Sequence, residues 1–199
     1  MSVWQKNRIN ILRALSVAFV LLALTIEPAF ESGTAIALLI HTVGSLLLFF
    51  GVLGRLWCTL YIGGRKNLEV IDIGPYSICR HPLYFFSSVS TLGFGLLLGS
   101  ILVALVMFFV VSLVLIRTAS DEECYLQGAL GASYMNYSRT VPKFFPNARL
   151  FTTGAIVSTN VSVLRTNFMD GLVFLSLLPL ATMLSIIRDA LDWEVYRFL

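Results

Sequence analysis

The sequence predicts an all-α, polytopic integral membrane protein with about five transmembrane helices, and three observations carry that prediction. Of the 199 residues, 57% are hydrophobic and 13% charged, about half the charged share of an ordinary soluble domain; the mean hydropathy is +0.85. Uncharged runs of membrane length recur along the chain. The longest, from His81 to Ile116, holds 36 residues without one Asp, Glu, Lys or Arg. As a single helix it would measure about 54 Å, against a hydrocarbon core of roughly 30 Å. The run therefore folds back, at Gly99-Ser100, and both its ends return to one membrane face.

Each element follows in order. Lys6, Arg8 and Arg13 introduce an apolar run that could imitate a secretory signal, but Glu27-Pro28-Ala29-Phe30 makes a poor small-x-small cleavage site. The run is read as a retained first span, Ile9–Ile26. A second span lies within the uncharged stretch Ser32–Gly54, with Arg55 and Trp57 at the expected interface. Gly63-Gly64-Arg65-Lys66-Asn67 is a polar connection. Leu83–Ile116 forms the hairpin of spans 3 and 4. The more polar segment Arg117–Asn167 follows, then a fifth uncharged run, Gly171–Ile187, with Pro179 expected to kink it. His41 in span 2 is read as bonding between helices, and Gly95 with Gly99 as a small-xxx-small pair for close helix approach. Trp193, Tyr196 and Phe198 suit an interfacial belt.

Charge orients the scheme. Arg65, Lys66, Arg80, Arg117, Arg139, Lys143, Arg149 and Arg165 fall on the side of Lys6, Arg8 and Arg13, whereas Glu27, Glu31 and the hairpin tip fall on the other. The positive-inside rule makes the basic side cytoplasmic. A net charge of +3 without a dense Lys/Arg block argues against a nucleic-acid partner and suits anchoring to membrane lipids. Three cysteines (Cys58, Cys79, Cys124) without CxxC spacing, and only His41 and His81, argue against a metal site or a disulfide framework.

Two polar motifs bracket the hairpin. The first is Gly74-Pro75-Tyr76-x3-Arg80-His81-Pro82-x-Tyr84: a turn, then a cation, an imidazole and aromatic rings at the mouth of span 3. The second begins at Asp121-Glu122-Glu123. Glu123, Leu126, Leu130, Tyr134, Tyr137 and Val141 recur at helical spacings, predicting one helical face that Thr118, Ser120 or Asp121 caps and Pro142 ends. Taken singly, the motifs suit an interfacial anchor and an acidic helix start. Brought to one face by the hairpin, they form one candidate site, with carboxylates and tyrosine rings suited to a cationic ligand.

These residues resemble the isoprenylcysteine carboxyl methyltransferase family and its relatives, which include phospholipid N-methyltransferases. The family pattern Gly-x-Tyr-x3-Arg-His-Pro-x-Tyr, a short hairpin, then Glu-Glu-x2-Leu-x4-Gly-x2-Tyr-x2-Tyr-x3-Val-Pro is met at every position from Gly74 to Pro142. The resemblance implies S-adenosyl-L-methionine (AdoMet) held by Tyr76, His81, Pro82, Leu83, Tyr84 and Glu122, with further contacts from Leu68, Glu69, Val70 and Ile71, in a pocket capped by the helix after span 4. It also implies a lipophilic methyl acceptor entering from the bilayer. The family's substrate-orienting arginine stands one helical turn before the Glu pair; here Thr118 holds that position and Arg117 lies five residues before Glu122.

Methyl transfer from a sulfonium needs alignment more than acid–base machinery. A carboxylate acceptor is already ionised at neutral pH and needs a cation such as Arg80 or Arg117 to place it. An amine or thiol would make use of a base, Glu123 or His81. The expected activity is carboxyl O-methylation of a prenylcysteine-like substrate. Phospholipid, amine or thiol methylation, an NADPH-dependent sterol-reductase-like enzyme, and a non-catalytic scaffold stay open. The chain reads as one domain: 1–62 with the first two spans, 63–146 the catalytic core, and 147–199 a connecting segment with the fifth span.

Overall fold

The computed structural model describes residues 14–15, 17–18, 34–65 and 68–190. Most of the first span, Lys66, Asn67 and the aromatic tail lie outside the described residues. The described chain is helical, in the order α1 (Ala35–Ile62), α2 (Pro75–Ile78), α3 (Pro82–Leu97), α4 (Ile101–Leu130), α5 (Ala132–Thr140), a short 3-10 turn (Ala148–Leu150) and α6 (Val161–Ala190). The helices α1, α4 and α6 contain stretches long and apolar enough to cross a membrane. At 16 residues α3 is shorter, about 24 Å, because the first motif occupies the polar end of its arm.

The hairpin forms where its length demanded. Leu98 ends α3, Gly99 turns the chain at φ 83°, and the Ser100 hydroxyl caps α4 by accepting from the Val103 amide at 3.3 Å. Gly99 is thus a turn residue, not half of a packing pair. Gly95 does lie against α4, where an added Cβ would collide with Ala104.

Against α1, α3 packs almost backbone to backbone. A Cβ on Gly51 would meet the Phe86 carbonyl oxygen at 2.7 Å and the Ser90 nitrogen at 2.8 Å, and one on Gly54 would enter the Phe86 ring. In lipid, where burial of apolar surface does not drive helices together, such close approach supplies the packing. Leu48, Phe94, Leu97, Val103 and Met107 form the buried cluster deeper in the bundle.

Three sequence expectations change. The helix α1 does not stop near Gly54 but runs to Ile62, so Arg55 lies inside it. Span 4 and the acidic segment are one 30-residue helix; Thr118 and Ser120 bond back to the carbonyls of Val114 and Ile116 in mid-helix and cap nothing. The break comes instead at Gly131, φ 57°, a backbone conformation that favours glycine. His41 lies exposed on α1.

Candidate functional site

The first motif owes its shape to Gly74. With φ 61° and the Tyr61 ring where a Cβ would stand, this position admits glycine alone without rearrangement. The turn launches α2, a single helical turn opened by Pro75, and His81 then precedes α3, whose first residue is Pro82.

A strap from the distal chain, residues 141–152, fixes this conformation. The Arg80 and His81 amides donate to the Pro142 and Lys143 carbonyls at 2.9 and 3.2 Å, and the Asn147 amide donates to Ile78 at 2.9 Å. The Gly74 amide donates to the Thr152 carbonyl at 2.7 Å, and the Thr152 amide donates to the Ser77 hydroxyl at 3.0 Å. The Cys79 thiol, its pKa pushed up to about 11 chiefly by burial, donates to the Phe144 carbonyl at 3.1 Å.

The two glutamates separate. Glu122 lines a cavity, and its Oε2 accepts from the Tyr84 hydroxyl at 2.9 Å, with His81 Nδ1 at 3.9 Å. Glu123 sits behind that wall: Arg80 Nη1 at 3.0 Å, His81 Nε2 at 3.1 Å and Lys143 Nζ at 3.2 Å converge on it. His81 bridges the pair and stacks parallel to Tyr84, with ring centroids 5.5 Å apart.

The cavity, counting its open mouth, holds about 640 Å³ of empty space. Tyr76, Arg80, His81, Pro82, Leu83 and Tyr84 form one wall, Glu69, Val70 and Ile71 another, and Glu122 with Leu126, Leu130, Tyr134 and Tyr137 a third. Tyr134 and Tyr137 pack with Val141, Val70, Leu126 and Leu130, so the helical face legible in the sequence survives the break at Gly131. Burial, first among its causes, pushes Tyr134 up to about 12 and also raises Tyr76 and Tyr137. All three are neutral at pH 7. The Tyr137 hydroxyl donates to the Tyr76 carbonyl at 2.7 Å. The buried Tyr76 hydroxyl has no hydrogen-bond partner among the described residues.

Three named residues stand apart. Leu68 is 74% exposed and outside the cavity lining. The Arg117 side chain is 69% exposed, 3.9 Å from Asp121. Glu123 braces the wall and does not line the cavity. Sequence reasoning missed Lys143 and Ile62. Lys143 arrives by the strap's backbone pairing, which has no periodic signature. Ile62 belongs to a helical turn that the charge at Arg55 disguised. Among the described residues no group of three or more His, Cys, Asp or Glu could hold a metal ion.

Apolar helices of membrane length, carrying at one end a cavity walled by tyrosines and a carboxylate, define an integral membrane protein. Comparison with known proteins gives the particular family. Residues 32–133, just over half the chain, match the phospholipid methyltransferase family, and the chain belongs to it. It is 34% identical over 185 residues to the cobalt-zinc-cadmium resistance protein CzcN of Cupriavidus metallidurans, covering 93% of this chain and 85% of that protein. It is 33% identical over 185 residues to the nickel-cobalt-cadmium resistance protein NccN of Alcaligenes xylosoxydans xylosoxydans, covering 93% and 86%. No solved structure matches the chain.

Proposed function

We propose that this protein transfers a methyl group from AdoMet to a lipophilic acceptor at the cytoplasmic face of its membrane. One observation carries the reading: the Tyr76 hydroxyl, buried without a partner among the described residues in a cavity that also presents the Glu122 carboxylate and several neutral aromatic rings. A buried polar group left unbonded costs roughly 1–3 kcal/mol, which a ligand accepting from it would offset. The donor set fits the cofactor. Glu122 and the tyrosine faces suit its positive charge, and Val70, Ile71, Leu126 and Leu130 suit the flat apolar face of a base.

When bound, AdoMet supplies an electrophilic methyl on sulfur. The chain's own residues do the rest. Tyr84 holds the Glu122 carboxylate toward the cavity. Arg80, Lys143 and His81 fix Glu123, and through His81 they fix the Tyr84 ring. Leu83 and Tyr84 line the cavity in the first turn of α3 and would limit water at the reacting atoms.

The acceptor we favour is a carboxylate on a prenylcysteine-like molecule. The family's own description favours a second reading, a phospholipid headgroup amine. In either case the resistance for which the relatives are named would run through a methylated membrane component. Equilibrium binding to the purified protein tests the cofactor. AdoMet should bind, Glu122→Gln should weaken it at least tenfold, and NADPH should not compete. Binding of NADPH without AdoMet would replace this reading with a reductase.

A further inference from the structure

On α1, two helical turns before the cavity-lining Ile62 and about 10 Å from it along the axis, the uncharged run ends at Arg55. Its surroundings are unusual for a cation. Arg55 donates one hydrogen bond, from Nη1 to the Ser87 hydroxyl of α3, and its guanidinium lies over the Phe174 ring of α6, 5.7 Å from the centroid. Asp170 of α6 attracts it electrostatically, yet among the described residues no carboxylate comes within ion-pair distance, 4.0 Å, of it. A guanidinium has five N–H donors, and among the described residues one of them is used.

The position is coupled to the cavity. The Ser87 hydroxyl also donates to the Leu83 carbonyl at 2.7 Å, and Leu83 lines the cavity. Ser87 thus stands one helical turn below the cavity wall, and Arg55 meets it there from α1. The third wall is α6, which approaches α1 at Gly171 and Val52 and lies outside the family match at 32–133. Arg80 is engaged with Glu123 and Arg117 is exposed, so neither is placed to meet a group arriving through the bilayer.

We propose that Arg55 and Ser87, walled by Phe174 of α6, form the docking site for the oxyanion of a lipid-tailed methyl acceptor. A carboxylate or phosphate there meets the unused fork of the guanidinium bidentately, while the tail remains among the helices. The proposal rests on the methyltransferase reading for the word acceptor, but the site itself can be tested without it.

Electron paramagnetic resonance on the protein in neutral-lipid nanodiscs measures the motionally restricted fraction of spin-labelled stearate, its uncharged methyl ester, and spin-labelled phosphatidic acid, at alkaline pH where the stearate is ionised. Wild-type protein should restrict at least one anionic probe several-fold more than the ester, and the stronger of the two names the headgroup class. Arg55→Gln should bring that ratio to about one, and Arg55→Lys should keep part of it. If Arg55→Gln does not fold, Ser87→Ala carries the test, with a reduced ratio expected. A wild-type ratio of one, or a ratio unmoved in the folded variant, makes Arg55 a clamp between helices and overturns the site. AdoMet binding in the same samples separates the claims. Anion preference without AdoMet binding refutes the methyltransferase reading and leaves the site standing. AdoMet binding without anion preference does the reverse.

Discussion

Tyr76 and Tyr137 are bonded to each other, yet their hydroxyl groups have opposite roles. The Tyr137 hydroxyl donates to the Tyr76 carbonyl in a buried setting, whereas the Tyr76 hydroxyl has no protein partner among the described residues. Tyr137→Phe should therefore lower the stability of the purified protein by about 1 kcal/mol, the usual net worth of one such bond. Tyr76→Phe should cost no stability and should weaken AdoMet binding several-fold. Thermal unfolding and ligand titration on both variants check this; a Tyr76→Phe protein that unfolds earlier but binds normally would show that its hydroxyl serves the fold. At this scale the sequence was only half legible. The contiguous stretch from Tyr76 to Tyr84 could be read because one turn and one helix start hold it together. The different duties of Glu122 and Glu123 could not. Adjacent residues on a helix point about 100° apart, and nothing in the order Glu-Glu says which one faces the cavity and which meets Arg80, His81 and Lys143.

At the scale of elements, the α1–α3 contact depends on missing side chains. Gly51→Ala would force a methyl against the α3 backbone, where the Phe86 carbonyl and Ser90 nitrogen have no freedom to move. Overpacking of this kind costs about 1–3 kcal/mol. Gly128→Ala is the control: nothing lies within 4 Å of the added carbon on α4, and exchanging glycine for alanine inside a helix gains roughly 0.5–1 kcal/mol. Unfolding midpoints in detergent should fall for the first and hold or rise for the second. Equal effects would place the α1–α3 contact elsewhere. The hairpin itself was plain in the sequence, since 36 uncharged residues cannot cross once. The break at Gly131 was hidden, because the spacings from Glu123 to Val141 continue across it as though the helix did. The end of α1 was misread for a related reason: a charge ended the uncharged run, while the helix continued to Ile62.

Across the whole molecule, long-range pairing assembles the site from segments far apart in sequence. The hairpin returns Glu122 beside Tyr84, a separation of 38 residues, and the strap carries Lys143 and Thr152 back to the first motif. The first event follows from charge and length and could be foreseen. The second depends on backbone hydrogen bonds of an irregular segment, which leave no pattern in side-chain chemistry. The product is a cavity at the end of a membrane bundle with an arginine about two helical turns below it. On the proposed function, that layout would separate a water-soluble donor from a lipid-tailed acceptor, with Leu83 on the wall between them.

The central claim is that this wall supports methyl transfer into the bilayer. It is tested most directly by incubating the purified, membrane-reconstituted protein with methyl-labelled AdoMet and counting label in the organic-solvent extract. Wild-type protein should place label in a lipid-soluble product, and Glu122→Gln should reduce it at least tenfold. An extract that stays unlabelled in native membrane lipid, from protein shown to bind AdoMet, would contradict that claim.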